Sequence, residues 1–277
     1  MFPNYQHSVA EVYTIAAKHV LEQSESMLFF TCVEGEDFQT RNYGLPSWVP
    51  DWSIAKFTGL RVTGYRHFNA AEQRLPTYSI SHDMRMLSIE AVKVDDIVEI
   101  CEEKNMLRAN LQSSTMWKLL SMLDSTYSTG HGTQTREELG TLAVCSGNWS
   151  TDSLPSAFCH RQYTTQDELE KARLRAKSDP AYLANLAHKA SLYDLHFSHA
   201  MLPRPFRTRR GYFGIGTQCL RKGDCVWIVS GCRVPIILRR IDGSKRFRLV
   251  GGSYTHGLMD GEGLNQPGAE FEMVSLE

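Results

Sequence analysis

RRGYFGIGTQCLRKGDCVWIVSGCRVPIILRRIDGSKRFRLVGGSYTHGLMDGE, residues 209–262, carries the densest structural signal in the chain. Residues 211–216 form a short Gly-bracketed strand, Lys222-Gly-Asp224 a turn, and CVWIV at 225–229 an apolar, β-branched and aromatic run suited to a strand buried on both faces. Residues 235–241 and 246–250 flank Asp242-Gly-Ser-Lys245, and Asp-Gly supplies the positive φ that a tight hairpin needs. Phe247 and Leu249 point one way and Arg246 and Arg248 the other, the period of a half-buried strand. The stretch therefore predicts a small antiparallel β unit.

Working outward, residues 86–100 predict one or two strands that join this unit, since three strands alone leave edges that need partners. Between them, residues 105–202 predict a helical insertion. Met116, Trp117, Leu119, Leu120 and Leu123 mark one helix, Thr135 and Thr165 open capping boxes for two more, and Asp179-Pro180 places an N-cap before a first-turn proline. Residues 145–163 read as a polar loop, and Pro203-Arg-Pro205 ends the insertion.

At the N-terminus Ser8-Val-Ala-Glu11 is a capping box, followed by Val9, Val12, Ile15, Ala16, His19 and Val20 as one apolar helical face on which His19 reads as a packed core histidine. Residues 27–33, MLFFTCV, read as a buried strand. A helix and a strand cannot cover their own apolar faces, so a missing N-terminal neighbour is expected. In residues 44–53 two prolines present Trp48 and Trp52 from a rigid, irregular segment, read as a plug closing a core in preference to a ligand platform. Residues 54–77 read as loop. The fold class is then α+β: a barrel-like antiparallel β unit from residues near 76–101 and 205–277, a helical insertion, and an N-terminal helix–strand remnant.

The 277 residues are 42% hydrophobic and 22% charged with a net charge of −1, which excludes a disordered chain and any global field recruiting nucleic acid or anionic lipid. Residues 201–250 hold twelve Lys or Arg against Asp224 and Asp242, and residues 251–277 hold five acids. This is read as a solvated surface partly neutralised by the acidic tail, with a phosphate-binding face as the other reading. Seven cysteines without a Cys-x-x-Cys pair fit reduced thiols. With neither a secretory signal nor an apolar run of ~20 residues, a cytoplasmic chain without a membrane partner is expected.

Chemical motifs are sparse. There is no Gly-x-Ser-x-Gly elbow, P-loop, His-Glu-x-x-His or dinucleotide fingerprint, and the glycines of 211–216 stand in the wrong order for one. Asp194, His196 and His199 fall close together near a helix end, and His196 and His199 share a face at a zinc-compatible i, i+3 spacing, but no Cys or His nearby supplies the remaining ligands. His256, Asp260 and Glu262 could do acid/base work or hold a cation, although the glycines of residues 254–262 suggest a folded-back loop. Arg204, Arg207, Arg209, Arg210, Arg239, Arg240, Arg246 and Arg248 could bind nucleic acid, a partner the balanced net charge makes unlikely. No residue is assigned a catalytic, cofactor-binding or metal-binding role.

Two separated stretches resemble the segments shared by fungal heterokaryon-incompatibility (HET) domain proteins. One is LPSWVPDWS at 45–53, with Pro46, Trp48, Pro50, Asp51 and Trp52. The other runs from 210 to 262, with Gly211, Gly214, Gly216, Gly223, Asp224, His256, Gly257, Met259, Asp260, Gly261 and Glu262. Pro3-Asn-Tyr5 and residues 8–13 resemble the end of the HET domain proper. The resemblance implies that residues 1–75 are the tail of a HET-type α/β core, and 76–277 a β domain interrupted by a helical insertion at about 105–202. The family's NAD-binding, TIR-like core would precede residue 1, leaving a truncated C-terminal portion with no cofactor. No catalytic role carries over to Asp51 or Trp52. The implied function is non-catalytic: self-association or protein-partner recognition in fungal non-self recognition and programmed cell death. A hydrolase or metal-dependent enzyme at His256, Asp260 and Glu262 is the alternative, with nucleic-acid binding by the arginines third.

Overall fold

A computed structural model of the chain describes residues 7–33, 44–53, 68–100 and 204–277, and parts of 171–185. The chain divides into two compact units, residues 1–100 with 206–277, and residues 101–205. In the second, Tyr182 N–H donates to Asp179 Oδ1 at 3.0 Å, the cap expected of Asp179-Pro180. The sequence-derived helices at 116–123, 135–138 and 165–168, and the Asp194, His196 and His199 group, lie outside the described residues.

The first unit is built on one long strand. β2 (Leu87–Ile100) follows β1 (Tyr78–Ile80) and pairs with four others, all antiparallel. β1 and β9 (Glu272–Leu276) flank its first half, β5 (Cys225–Val229) takes its middle from Ala91 to Asp96, and β3 (Arg204–Thr208) takes its end. Register shifts at Lys93/Asp95 and Ile97/Glu99 act as bulges, bending β2 so that one strand serves successive partners. β6 (Ile236–Arg240) and β7 (Arg246–Gly252) form the hairpin read at Asp242-Gly243, where Gly243 has φ +70°. β4 (Phe213–Gly216) pairs with the short β8 (Tyr254–Thr255).

The pairing β2–β5–β6–β7–β9 returns to β2, so these five strands close a ring. One pair departs from the all-antiparallel expectation: β7 and β9 run parallel, Phe247 opposite Leu276. The chain between them, residues 253–271, is long enough for the crossover that a parallel pair requires. Two cores result. Trp227, Val229, Leu238, Leu249 and Leu276 lie in one, and Val226, Ile228, Ile237 and Val250 in the other. β5 is buried throughout because its alternate side chains enter different cores.

The opening helix α1 (Val9–Gln23) has the capping box as read: Ser8 N–H donates to Glu11 Oε2 at 2.7 Å and Glu11 N–H to Ser8 Oγ at 3.3 Å. Its buried face is not the one expected. Thr14, Ala17 and Leu21 are buried, while Val9, Val12 and Val20 are exposed, as is His19. Thr14 and Ala17 are small enough to allow close approach while Leu21 fills the core, and the Thr14 hydroxyl donates to Ala10 O at 2.8 Å.

Residues 27–33 are likewise not a strand. Leu28–Cys32 is a 3-10 helix, since a seven-residue apolar run has no period of its own and local bonds decide it. Thr31 donates its hydroxyl to Leu28 O at 2.7 Å, and Met27 N–H is taken by Gly231 O at 3.0 Å. The turn lies against Gly251 and Gly252. A Cβ on Gly251 (φ +142°) would stand 2.7 Å from Val33 O, and one on Gly252 2.9 Å from Thr31 Cγ2. The helix and the apolar run pack on the β unit, with which Ala17, Leu21, Met27 and Phe30 share a core.

Trp48 is fully buried in that core, its indole N–H directed at Arg85 O at 3.4 Å. Ser47 fastens the segment: its N–H donates to Glu277 O and its Oγ accepts Leu249 N–H, both at 3.0 Å. The plug reading therefore holds for Trp48. It fails for Trp52, which is 46% exposed and meets Tyr13 edge-on at 5.3 Å. No described helix is long and apolar enough to cross a membrane.

Candidate functional site

The turn between β4 and β5 positions the best-formed polar site. Gly223 adopts φ +91°, letting the chain reverse directly into β5, and its N–H donates to Ile97 O at 2.8 Å. Ile97 N–H returns a bond to Asp224 O at 2.7 Å, so turn and β2 are clamped together. The carboxylate of Asp224, 1% exposed, accepts Arg239 Nε at 2.8 Å on one oxygen. Its other oxygen accepts Arg239 Nη2 at 3.1 Å and Arg221 N–H at 2.7 Å. Arg239 Nη2 also reaches Cys219 O. This bidentate buried pair ties β6 to the turn.

Beside it, Lys93 Nζ pairs with Asp96 Oδ1 at 2.6 Å and the Cys225 thiol donates to the same oxygen at 3.1 Å. Arg209 Nη2 stands 3.9 Å from Asp96 Oδ2. Partial burial pushes the Asp96 carboxyl up, but the bonds from Lys93 and Cys225 and the charges of Lys93 and Arg209 outweigh it, holding it below its ordinary value. Burial, then the bond to Asp96, pushes the Cys225 thiol up to about 12, so it is protonated at neutral pH and no nucleophile. Together these side chains, with Arg240 and Lys222, line a cavity of about 650 Å³.

The other motif residues have structural employment. A Cβ on Gly214 would lie 2.3 Å from Phe206 Cζ, and one on Gly216 3.0 Å from both Ile237 and Leu220. Gly211 (φ +95°) closes a turn, its N–H on Thr208 O at 3.1 Å. Asp51 accepts Ser53 N–H at 3.0 Å; Pro46 is half-buried and Pro50 buried. In the loop after β8, His256 N–H donates to Phe213 O at 2.9 Å, Gly257 has φ +75°, and Met259 Sδ accepts Thr255 N–H at 3.3 Å. Glu262 Oε2 accepts Asp260 N–H at 2.7 Å, and Gly261 (φ +89°) lies against Glu72. Glu262 thus serves the loop's own backbone. Among the described residues no group of three His, Cys, Asp or Glu is placed to hold a metal, these three included.

Nor do the arginines form one stripe. Arg207 pairs with Glu99 at 2.9 Å, Arg210 with Gln266, and Arg246 and Arg248 with Glu277 at 2.6 and 3.7 Å. Arg209, Arg239 and Arg240 instead gather at the cavity, joined by Lys93 and Arg221. Sequence reading missed those two, and no sequence signal relates Lys93 to a turn more than a hundred residues away.

Residues 156–270 match the family model described as the Het-6 beta-barrel domain. Along 94% of its length the chain is 24% identical to heterokaryon incompatibility protein 6, OR allele, of Neurospora crassa, over 312 aligned residues. It spans 45% of that relative. No solved structure matches the chain.

Proposed function

Taking as premise that this is a fungal protein of the heterokaryon-incompatibility type, which the barrel match and the long alignment support, we propose that it acts non-catalytically in non-self recognition, by self-association or by binding a protein partner. The ring of five paired strands is, on this reading, the small closed barrel that the matching domain's description names. The observation that carries the reading is the employment of the motif residues. Asp224 is consumed by Arg239 and the Arg221 amide, Glu262 by the Asp260 amide, and Gly214 and Gly216 by packing. Groups bound in this way hold a scaffold together and offer substrate little.

The test is expression of the chain in fungal strains carrying alternative incompatibility alleles, with assay of the purified chain on NAD alongside. The reading expects growth arrest in some allelic backgrounds and no NAD consumption. Turnover of NAD at an enzymatic rate, or arrest in every background alike, refutes it.

A further inference from the structure

We propose that the cavity between the β2 bend, the Gly223 turn and the end of β6 is a binding site for a small molecule carrying two or more phosphate groups. Six basic and three acidic side chains line it, a formal charge of +3 in a chain whose net charge is −1. Two of the acids are already matched, Asp224 by Arg239 and Asp96 by Lys93. The lining cations come from four separate stretches of the chain: Lys93, Arg209, Arg221 with Lys222, and Arg239 with Arg240. Among the described residues neither Lys222 nor Arg240 makes an ion pair, and the Arg240 guanidinium lies 5.8 Å from the Phe247 ring.

Gathering like charges around a concavity costs stability through mutual repulsion, and low-dielectric walls concentrate the resulting potential for an incoming anion. The arrangement gains its compensation when an oligoanion is bound. Guanidinium groups offer paired donors matching phosphate geometry, and several cations spread around one cavity suit more than one phosphate. Size points the same way: the volume of about 650 Å³ falls within the roughly 300–1,000 Å³ of small-molecule sites. Ile97 and Val98 add an apolar strip for the uncharged part of such a ligand. The walls are rigid, since the buried Asp224–Arg239 pair and the Gly223–Ile97 clamp fix them without a ligand. This site is independent of the recognition role proposed above.

The test is calorimetric titration of the 277-residue protein with inorganic pyrophosphate and ATP, and with citrate as a carboxylate of similar charge. Saturable phosphate binding that weakens with added salt is expected, with citrate at least about tenfold weaker. Lys222→Gln with Arg240→Gln, both exposed positions, should weaken pyrophosphate by about tenfold or more at unchanged Tm. Arg246→Gln with Arg248→Gln removes two cations that serve Glu277 away from the cavity, and should leave affinity within about twofold. If the first variant loses Tm, mass spectrometry of the unmodified protein decides: pyrophosphate must shield Lys222 from acetylation. No saturable binding, equal binding of citrate, equal weakening by both variant pairs, or unshielded Lys222 overturns the proposal. So does single-stranded oligonucleotide bound more tightly than pyrophosphate and weakened by both pairs, which would mark an extended nucleic-acid surface.

Discussion

Replacing Arg239 by methionine isolates the interaction on which the β4–β5 turn depends. Methionine keeps the aliphatic stem and deletes both bonds to Asp224, which is 1% exposed and retains the Arg221 N–H. An aspartate stripped of its partner at such a depth is an uncompensated buried charge, costing about 3–5 kcal/mol. Cys219 O also loses a donor, worth about a further 1 kcal/mol. Set against the ~5–15 kcal/mol of an ordinary domain, the loss is a large share of the total. Equilibrium urea unfolding followed by tryptophan fluorescence at neutral pH reads it as a fall in midpoint at constant slope, with Trp48 and Trp227 reporting from within the core. If the penalty is the orphaned charge, Asp224→Asn in the Arg239→Met background restores at least half, because the amide oxygen can still accept the Arg221 N–H without a charge to bury. Arg246→Met, at a pair whose Arg and Glu side chains are 50% and 26% exposed, should cost under about 1 kcal/mol. A loss below about 1 kcal/mol for Arg239→Met, or no recovery in the double variant, would refute the reasoning.

Four further outcomes follow from the same structure. Gly214→Ala should lose about 1–3 kcal/mol, because its Cβ would meet Phe206 Cζ at 2.3 Å, and Phe206→Leu should recover part of the loss. Gly223→Ala meets nothing within 4 Å and should lose only about 1–2 kcal/mol to its φ of +91°, with no recovery from Phe206→Leu in the same urea assay. Trp48→Ala should cost about 3–5 kcal/mol and Trp52→Ala under about 1 kcal/mol, so thermal melts separate the buried residue from the exposed one. Asp96 is held below its ordinary value when folded, so its contribution is present above the unfolded pKa of about 3.9 and lost as pH falls through the folded value. The Tm gap between the native chain and Asp96→Asn should therefore be open at neutral pH and close in acid; a gap constant with pH would show that Asp96 has no such role.

Local chemistry made several features legible beforehand. Ser8 and Glu11 specify a helix start within four residues, Asp242-Gly243 a hairpin, and Asp179-Pro180 a cap, since each device is complete in its own neighbourhood. Other features depended on a partner far along the chain. The register of Val9, Val12 and Val20 is as helical as that of Ala10, Thr14, Ala17 and Leu21, and only the surface offered by the β unit selects the second face. Residues 27–33 are apolar but for Thr31, so strand and 3-10 turn could not be told apart until Gly251 and Gly252 were seen to leave room for the turn.

The candidate site divides in the same way. Gly223 and Asp224 stood out in the sequence as a turn, but that Asp224 binds Arg239, or that Lys93 and Arg209 reach Asp96, was written nowhere along it. By itself the sequence determined an α+β chain, the hairpin, the doubly buried β5 and the capped helix, because period and turn chemistry act over a few residues. Tertiary structure alone decided the closure through β9, the parallel β7–β9 pair, the helix face that is buried and the gathering of cations at one cavity, because each requires segments that meet only after the chain has folded.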